Sequence, residues 1–301
     1  MLKVAYHSSY KYSLPDGHRF PMAKYNLLPE YLLKQRICTE NNFFKPEKIS
    51  AEIILKTHTK DYYNKLVHLE LDTKEIRKIG FPLRADLVDR GHYIIGGTIQ
   101  GCDFALKNGI ALNIAGGTHH AYADRGEAFC LLNDQAVAAK YLVDTNKASK
   151  ILIVDLDVHQ GNGTAKIFEN EPRVFTFSMH GAKNYPFKKE KSDLDIGLDD
   201  GTEDDEYLSV LKNTFPMLLQ KVQPDFVFYL SGVDIIKGDK LGRLACSLEG
   251  CKARDRFIFE MCKKHNIPVQ VSMGGGYSPN IDIIIEAHAN TYKMAQEVYF
   301  T

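Results

Sequence analysis

ILIVDLDVHQGNGT, residues 151–164, is the stretch on which the fold turns. Its first four residues are apolar and mostly branched, without the every-other-residue alternation of a strand that has one wet face. That pattern suits a strand covered by helices on both sides, the setting of a parallel sheet. In open parallel sheets, ligands bind beyond the carboxyl ends of the strands, and that is where Asp155, Asp157 and His159 fall. If the chain stays extended here, these three side chains point to one side, and Leu156 and Val158 point to the core. Two carboxylates and an imidazole are oxygen and nitrogen ligands for a divalent metal. By itself, D-x-D-x-H fits a helix cap beside a solvated histidine equally well. Asp234, at another strand end in SGVD (231–234), supplies a third ligand from a distant segment and tips the reading to metal.

Working outward, similar short apolar runs recur at 4–6, 52–55, 110–114, 174–178, 226–230 and 269–272, and each is read as a strand. Longer amphipathic stretches at 22–33, 132–146, 203–219 and 248–266 are read as helices. The alternation predicts one α/β domain over residues 1–301, a three-layer α/β/α architecture around a mostly parallel central sheet. Residues 181–202, rich in charge, Pro and Gly, are read as a long surface loop. Five strand ends carry polar residues or glycine. They are GGTHH (116–120), DLDVH (155–159), SMHG (178–181), SGVD (231–234) and GGGY (274–277), and they point to one shared rim.

With 301 residues and 44% hydrophobic content the chain can bury a large core. Lys+Arg and Asp+Glu number 38 each, so there is no electrostatic footprint for nucleic acid or an anionic membrane. No apolar run is long enough for a membrane span, and the N-terminus lacks the apolar core of a secretory signal. The six cysteines form no C-x-x-C pair and are read as reduced thiols of a cytoplasmic protein. The sequence sets no oligomeric state.

Two Asp and one His leave a coordination position for water on Zn²⁺. Fe²⁺ is an alternative, because an O/O/N set is borderline between the two metals. Two carboxylates neutralise most of the metal charge, so such a site needs help in activating water and stabilising an oxyanion. His119 and His120, just past a Gly-Gly turn, are placed to provide it. One imidazole can take a proton from the water and return one to a leaving amine. Asp155 is a candidate to orient one ring and Asn162 the other. In Gly274-Gly275-Gly276-Tyr277 the glycines allow close backbone approach to a substrate, so Gly275 and Gly276 are candidate substrate-binding positions. Tyr277 is the candidate oxyanion donor.

Taken together, GGTHHA (116–121), AFCLLND (128–134), VDLDVHQGNGT (154–164), FSMHG (177–181), SGVD and GGGY resemble the motifs of the histone deacetylase superfamily, in family order. GHRFPMAKY (17–25) and the stretch from 185 to 208 resemble class IV members and their bacterial relatives. The resemblance implies the arginase/deacetylase fold and zinc-dependent hydrolysis of the amide of an N-acylated lysine. It assigns the metal to Asp157, His159 and Asp234, the general base and acid to His120, its Asp155-held companion to His119, and the carbonyl-polarising hydroxyl to Tyr277. It also implies that Phe129 and Tyr185 wall a tunnel for the lysine stem. A structural potassium ion is implied near Asp155, Asp157, His159 and Ser178, with a second cation site near Phe168 and Val174. Asn162 departs from the class I pattern, where an Asp backs the second histidine, and longer acyl chains enter consideration for that reason.

Three other readings compete. A two-manganese ureohydrolase of the same fold needs D-x-H-x-D and a later D-x-D. Gly161 and Ile236 stand where the further carboxylates would have to be. A deacetylase of small acylated amines such as acetylpolyamines would share every catalytic residue, and an acid at the tunnel mouth would favour it; Glu190 and Asp193 are the candidates. A non-catalytic acyl-lysine binder would have no use for His120 or Tyr277.

Overall fold

The computed structural model describes all 301 residues. Eight strands form one sheet: β1 (Lys3–Ala5), β2 (Phe43–Phe44), β3 (Ile110–Asn113), β4 (Ile151–Asp155), β5 (Val174–Gly181), β6 (Leu194–Leu198), β7 (Phe226–Leu230) and β8 (Val269–Ser272). Their order is β2-β1-β3-β8-β7-β4-β5-β6, and every neighbouring pair is parallel. Ten helices cover the sheet: α1 (Lys24–Lys34), α2 (Ala51–Ile54), α3 (Lys60–Val67), α4 (Thr73–Ile79), α5 (Ala85–Asn108), α6 (Asp134–Asp144), α7 (Asn162–Phe168), α8 (Asp204–Val222), α9 (Leu248–Lys264) and α10 (Ile281–Phe300). Eight of them pack as two sets, one built on α5 with α2, α3 and α6, the other on α10 with α1, α8 and α9. The result is the three-layer α/β/α fold expected from the unalternated strands, with an apolar cluster of 80 buried residues running through it.

The register sets up the site. Asn113, Ser272, Leu230, Asp155 and Ser178 lie opposite one another in a row across the adjacent strands β3, β8, β7, β4 and β5. The five polar strand ends are therefore five neighbouring edges of one sheet.

Four local expectations are corrected. Residues 52–55 are not a strand but most of the single turn α2, since a short apolar run has the same pattern in either state. The helix α5 was not anticipated because Gly91, Gly96, Gly97 and Gly101 weaken its signal. Gly96 is there for space, as a Cβ on it would sit 1.9 Å from the Glu47 carbonyl oxygen. The helix α10 was also missed, although its apolar face is buried. Finally, residues 181–202 are not all loop. LDIGL forms the edge strand β6 on β5, with apolar residues at 194, 196 and 198 alternating with exposed Asp195 and Gly197.

Candidate metal centre and active site

The sheet stops at Asp155, so the extended alternation assumed for residues 155–159 does not hold. Two successive side-chain turns replace it. The Asp157 amide donates to Asp155 Oδ1 at 3.1 Å, and the His159 amide donates to Asp157 Oδ1 at 3.0 Å, the local self-bonding that Asp favours. The outcome is still the expected one: Leu156 and Val158 are fully buried, and the three polar side chains converge.

Asp157, His159 and Asp234 offer ligand atoms that all lie within 4.8 Å of one another, and all three residues are buried. His159 Nδ1 is 3.0 Å from Asp157 Oδ1 and 3.2 Å from Asp234 Oδ2. The other oxygens are held in place: Gly275 N–H donates to Asp157 Oδ2 at 2.8 Å, and Val158 N–H donates to Asp234 Oδ1 at 3.0 Å. Asp234 Oδ2 is buried with only the His159 ring, 3.2 Å away, beside it and no well-directed hydrogen bond, a costly arrangement unless the atom serves a ligand. Burial, and then the neighbouring Asp157 carboxylate, push the Asp234 pKa up to about 7. Burial disfavours charge on the His159 ring, yet the two carboxylates overrule it and raise its pKa to about 10. The same pair that attracts a proton to this ring would attract a divalent cation in its place. Gly275 is indispensable on steric grounds, since a Cβ there would lie 2.1 Å from Asp234 Oδ2. The residues present fit a divalent metal.

Beside this cluster, His119 and His120 lie with ring centroids 4.1 Å apart and planes tilted by 46°. His119 Nδ1 is 2.7 Å from Asp155 Oδ2, and His120 Nδ1 is 2.7 Å from Asn162 Oδ1. Both oxygens can only accept, so each Nδ1 carries the proton and each Nε2 faces the site. Asn162 is fixed in this orientation because its Nδ2 donates to the Tyr122 hydroxyl, which in turn donates to Glu190. The two rings are electrostatically unlike. Burial disfavours charge on His119, but Asp155 outweighs it and the pKa is raised. Burial, reinforced by His119 and His159, holds His120 well below the usual histidine range. His120 is thus neutral at neutral pH.

Tyr277 lies edge-on to His159, with centroids 6.3 Å apart. Its backbone N–H donates to Asp239 at 2.6 Å. Burial and the Asp157 and Asp234 charges push the phenol pKa well up, so the hydroxyl stays a donor. These groups floor a cavity of about 410 Å³ that opens to the surface and is walled by Phe129 and Tyr185. A smaller cavity of about 30 Å³ shares His120, Ala128, Phe129 and Tyr277 with it and runs in toward Gly117 and His119.

Of the remaining predicted residues, Ser178 lies opposite Asp155 in the sheet, with its Oγ 2.9 Å from His180 Nδ1. Phe168 and Val174 are not brought to this end. Val174 pairs with Ile151 at the far end of β4, about 13 Å away at ~3.3 Å per residue. Glu190 and Asp193 do not line the cavity; Asp193 accepts from the Thr176 amide and hydroxyl instead.

Sequence reasoning missed two braces. Lys24, fully buried, donates to the Gly274 carbonyl at 3.1 Å and holds the loop before Tyr277. Burial lowers its pKa to about 8, against the pull of Asp234 and Asp157. Arg254, also fully buried, donates from Nη1 to the carbonyls of Leu156 and Gly232 at 3.2 and 2.6 Å. It thereby ties together the two loops that carry the metal ligands. Asp255 balances its charge at 2.8 Å and accepts from the Tyr229 and Thr291 hydroxyls. Arg254 and Asp255 sit in the charged stretch 252–256 of α9, where nothing in the sequence marks them as buried. Arg254→Met should cost about 3–5 kcal/mol, because Asp255 is left as an uncompensated buried charge. Denaturant unfolding checks this, and an unchanged midpoint would show that the pair braces nothing.

The pattern of the family described as "Histone deacetylase domain" matches residues 18–292. The chain belongs to the histone deacetylase family. It is 42% identical over 296 residues to an uncharacterized protein of Picosynechococcus sp., covering 98% of this chain and 99% of that one. It is 30% identical to histone deacetylase 2 of Arabidopsis thaliana, over 92% of this chain and 74% of the relative. It is 27% identical to the acetoin utilization protein AcuC of Staphylococcus aureus, over 92% and 77%. Among solved structures, a histone deacetylase homolog from Aquifex aeolicus superposes with a TM-score of 0.84 at 23% identity, covering 99% of this chain and 84% of that one. The histone deacetylase family membership makes the chain a hydrolase of the deacetylase type. No helix is long and apolar enough to cross a membrane.

Proposed function

We propose that the chain, as one catalytic domain over residues 1–301, hydrolyses the amide of an N-acylated lysine with a single divalent metal, Zn²⁺ by preference and Fe²⁺ as the alternative. The observation that carries this reading is the buried Asp157–His159–Asp234 cluster, whose His159 lines an open cavity together with a neutral imidazole, His120, and a protonated phenol, Tyr277. When bound, the metal would supply Lewis acidity to the amide carbonyl and to the attacking water.

The protein groups do the rest. Phe129 and Tyr185 flank the lysine stem. His120, with Nε2 free, takes the proton from the water and gives one to the leaving amine. His119, held by Asp155, stays beside it as the more basic ring and offsets the negative charge that builds on oxygen as the water attacks. The Tyr277 hydroxyl donates to the carbonyl oxygen as charge builds on it. Gly275 and Gly276 let the backbone approach the substrate. The inner cavity that runs on toward Gly117 and His119 is where the acyl group would sit.

Hard oxygen donors around Asp155, Asp157, His159 and Ser178 suit a structural potassium ion, and Phe168 with Val174 is proposed for a second cation. The neutral Asn162 supports a class IV likeness. The six buried free thiols support a cytoplasmic setting. A panel of fluorogenic acyl-lysine peptides and acetylpolyamines, assayed with metal-loaded protein, tests the reading. Faster turnover of acetylpolyamines than of every peptide would replace it with the small-amine alternative.

The pH dependence follows from the pair behind His120. Its low pKa predicts that the acid limb of kcat/KM lies below the usual histidine range. In Asn162→Asp, a carboxylate beside the ring favours the charged form and raises the imidazole pKa by about 1–3 units. His120 then stays protonated to higher pH, so the acid limb should move up. The alkaline limb can shift as well, because the site titrates as a set. Profiles of both forms at equal metal content decide it; a limb that stays put, or moves down, would show that Asn162 does not control His120.

A further inference from the structure

The mouth of the cavity is one-sided in charge, although the chain as a whole carries 38 basic and 38 acidic residues. Five of its 15 lining residues are cationic, namely Arg19, Lys78, Lys183, Lys240 and Arg243, and no Asp or Glu lines it. All five are exposed. They come from separate parts of the chain: the segment before α1, the end of α4, the stretch between β5 and β6, and the stretch between β7 and α9. Lys183 and Arg243 share one carboxylate, Asp200, at 3.8 and 3.2 Å. Arg19 rests over the Phe129 ring at 5.0 Å, and neither it nor Lys78 nor Lys240 stands in an ion pair. The nearby acids are already engaged. Glu127 accepts from the Tyr185 hydroxyl and from Arg125, and Asp239 is taken up by backbone N–H groups. Phe187, 89% exposed, adds an apolar face beside Tyr185 at the same rim.

We propose that this rim selects an acyl-lysine whose neighbouring residues in the peptide are acidic, and disfavours polycationic substrates. The inference rests on the acyl-lysine reading above and narrows it. Clefts lined by one sign of charge concentrate ligands of the opposite sign and raise association rates by about 10–10³. Like charges meeting across a contact oppose binding and act mainly on association and its salt dependence. An acetylpolyamine, with ammonium groups beyond its amide, would meet five cations at the entrance. A peptide extending to either side of its acyl-lysine can set several carboxylates against cations that come from four separate segments of the chain, which a compact monoanion has no second charge to do.

The test uses one acetyl-lysine peptide core with Asp/Glu, Ser/Gly or Lys/Arg flanks, alongside acetylspermidine. The Zn²⁺-loaded enzyme is assayed at about 20 mM and 500 mM salt. The acidic-flank peptide should exceed the basic-flank peptide in kcat/KM by about 10-fold or more at low salt. The ratio should shrink toward one at high salt, where screening acts within about 5 Å or less. In the double variant Lys78→Glu/Lys240→Glu the ratio should collapse or invert. Equal rates across the flanks, or faster turnover of the basic peptide or of acetylspermidine, overturns the proposal. Failure of every peptide to turn over contradicts the acyl-lysine reading instead. Fluorescence anisotropy of the labelled peptides then decides the charge preference alone: tighter binding of the acidic peptide upholds it, and equal or weaker binding overturns it.

Discussion

Asp234→Ala should strip the divalent metal from the protein and take deacylation with it. Losing even an outer-shell partner of a metal ligand typically costs about 10–100-fold in affinity, and removing one of three direct ligands should cost more. Two ligands then remain where three are needed. Asp234→Asn serves as the control, because an amide keeps an oxygen that can accept from the Val158 N–H while losing the charge that holds a cation. Loss of Asp234 also removes one of the two carboxylates that raise the His159 pKa, so the remaining site binds cations less well for an electrostatic reason too. Metal content by elemental analysis, measured with kcat/KM on the same sample, reads both effects. A variant that keeps a full complement of metal and near-full activity would remove Asp234 from the centre.

Tyr277→Phe should lower kcat by about 10²–10³ while moving KM little, which is the usual cost of losing one oxyanion donor. The substitution is nearly silent structurally. The ring packs against Phe20 and Phe129, with centroids 6.0 and 6.1 Å away, and phenylalanine keeps those contacts. The backbone stays anchored through the Tyr277 amide to Asp239. What disappears is one hydroxyl, held protonated by burial and by two neighbouring carboxylates. Steady-state kinetics on an acyl-lysine peptide separates the outcomes: retention of near-full kcat would make Tyr277 a packing residue and move the oxyanion role elsewhere.

The chemistry was more legible in the sequence than the scaffold that aims it. Strands such as Phe226–Leu230 and Ile151–Asp155 announce themselves because a strand buried on both faces has no alternation. The polar residues that follow them then sit at a predictable edge. DLDVH was legible in outcome but not in mechanism, since its side chains converge through two Asp-to-backbone turns rather than through an extended strand. The helix α5 is hidden by its glycines, two of which answer to distant segments: Gly96 to the Glu47 carbonyl and Gly97 to Tyr10, Asn113 and Ala5. The run at 52–55 was misread because four residues cannot distinguish one helical turn from a strand. Lys24 and Arg254 could not have been found at all by pattern. Lys24 reaches a carbonyl 250 residues away in sequence, and the two loops that Arg254 joins are adjacent only once the sheet has formed. The charge of the rim is likewise a tertiary property, assembled from segments whose local composition is unremarkable.

The central claim is that one divalent metal, held by Asp157, His159 and Asp234, carries the hydrolysis. Its most direct test is to titrate the chelator-treated protein with Zn²⁺ while following release of free lysine amine from an acetyl-lysine peptide. Activity should be absent after chelation, rise linearly with added metal, and break at one ion per chain. Activity that survives complete removal of metal, or a break at two ions per chain, would contradict it.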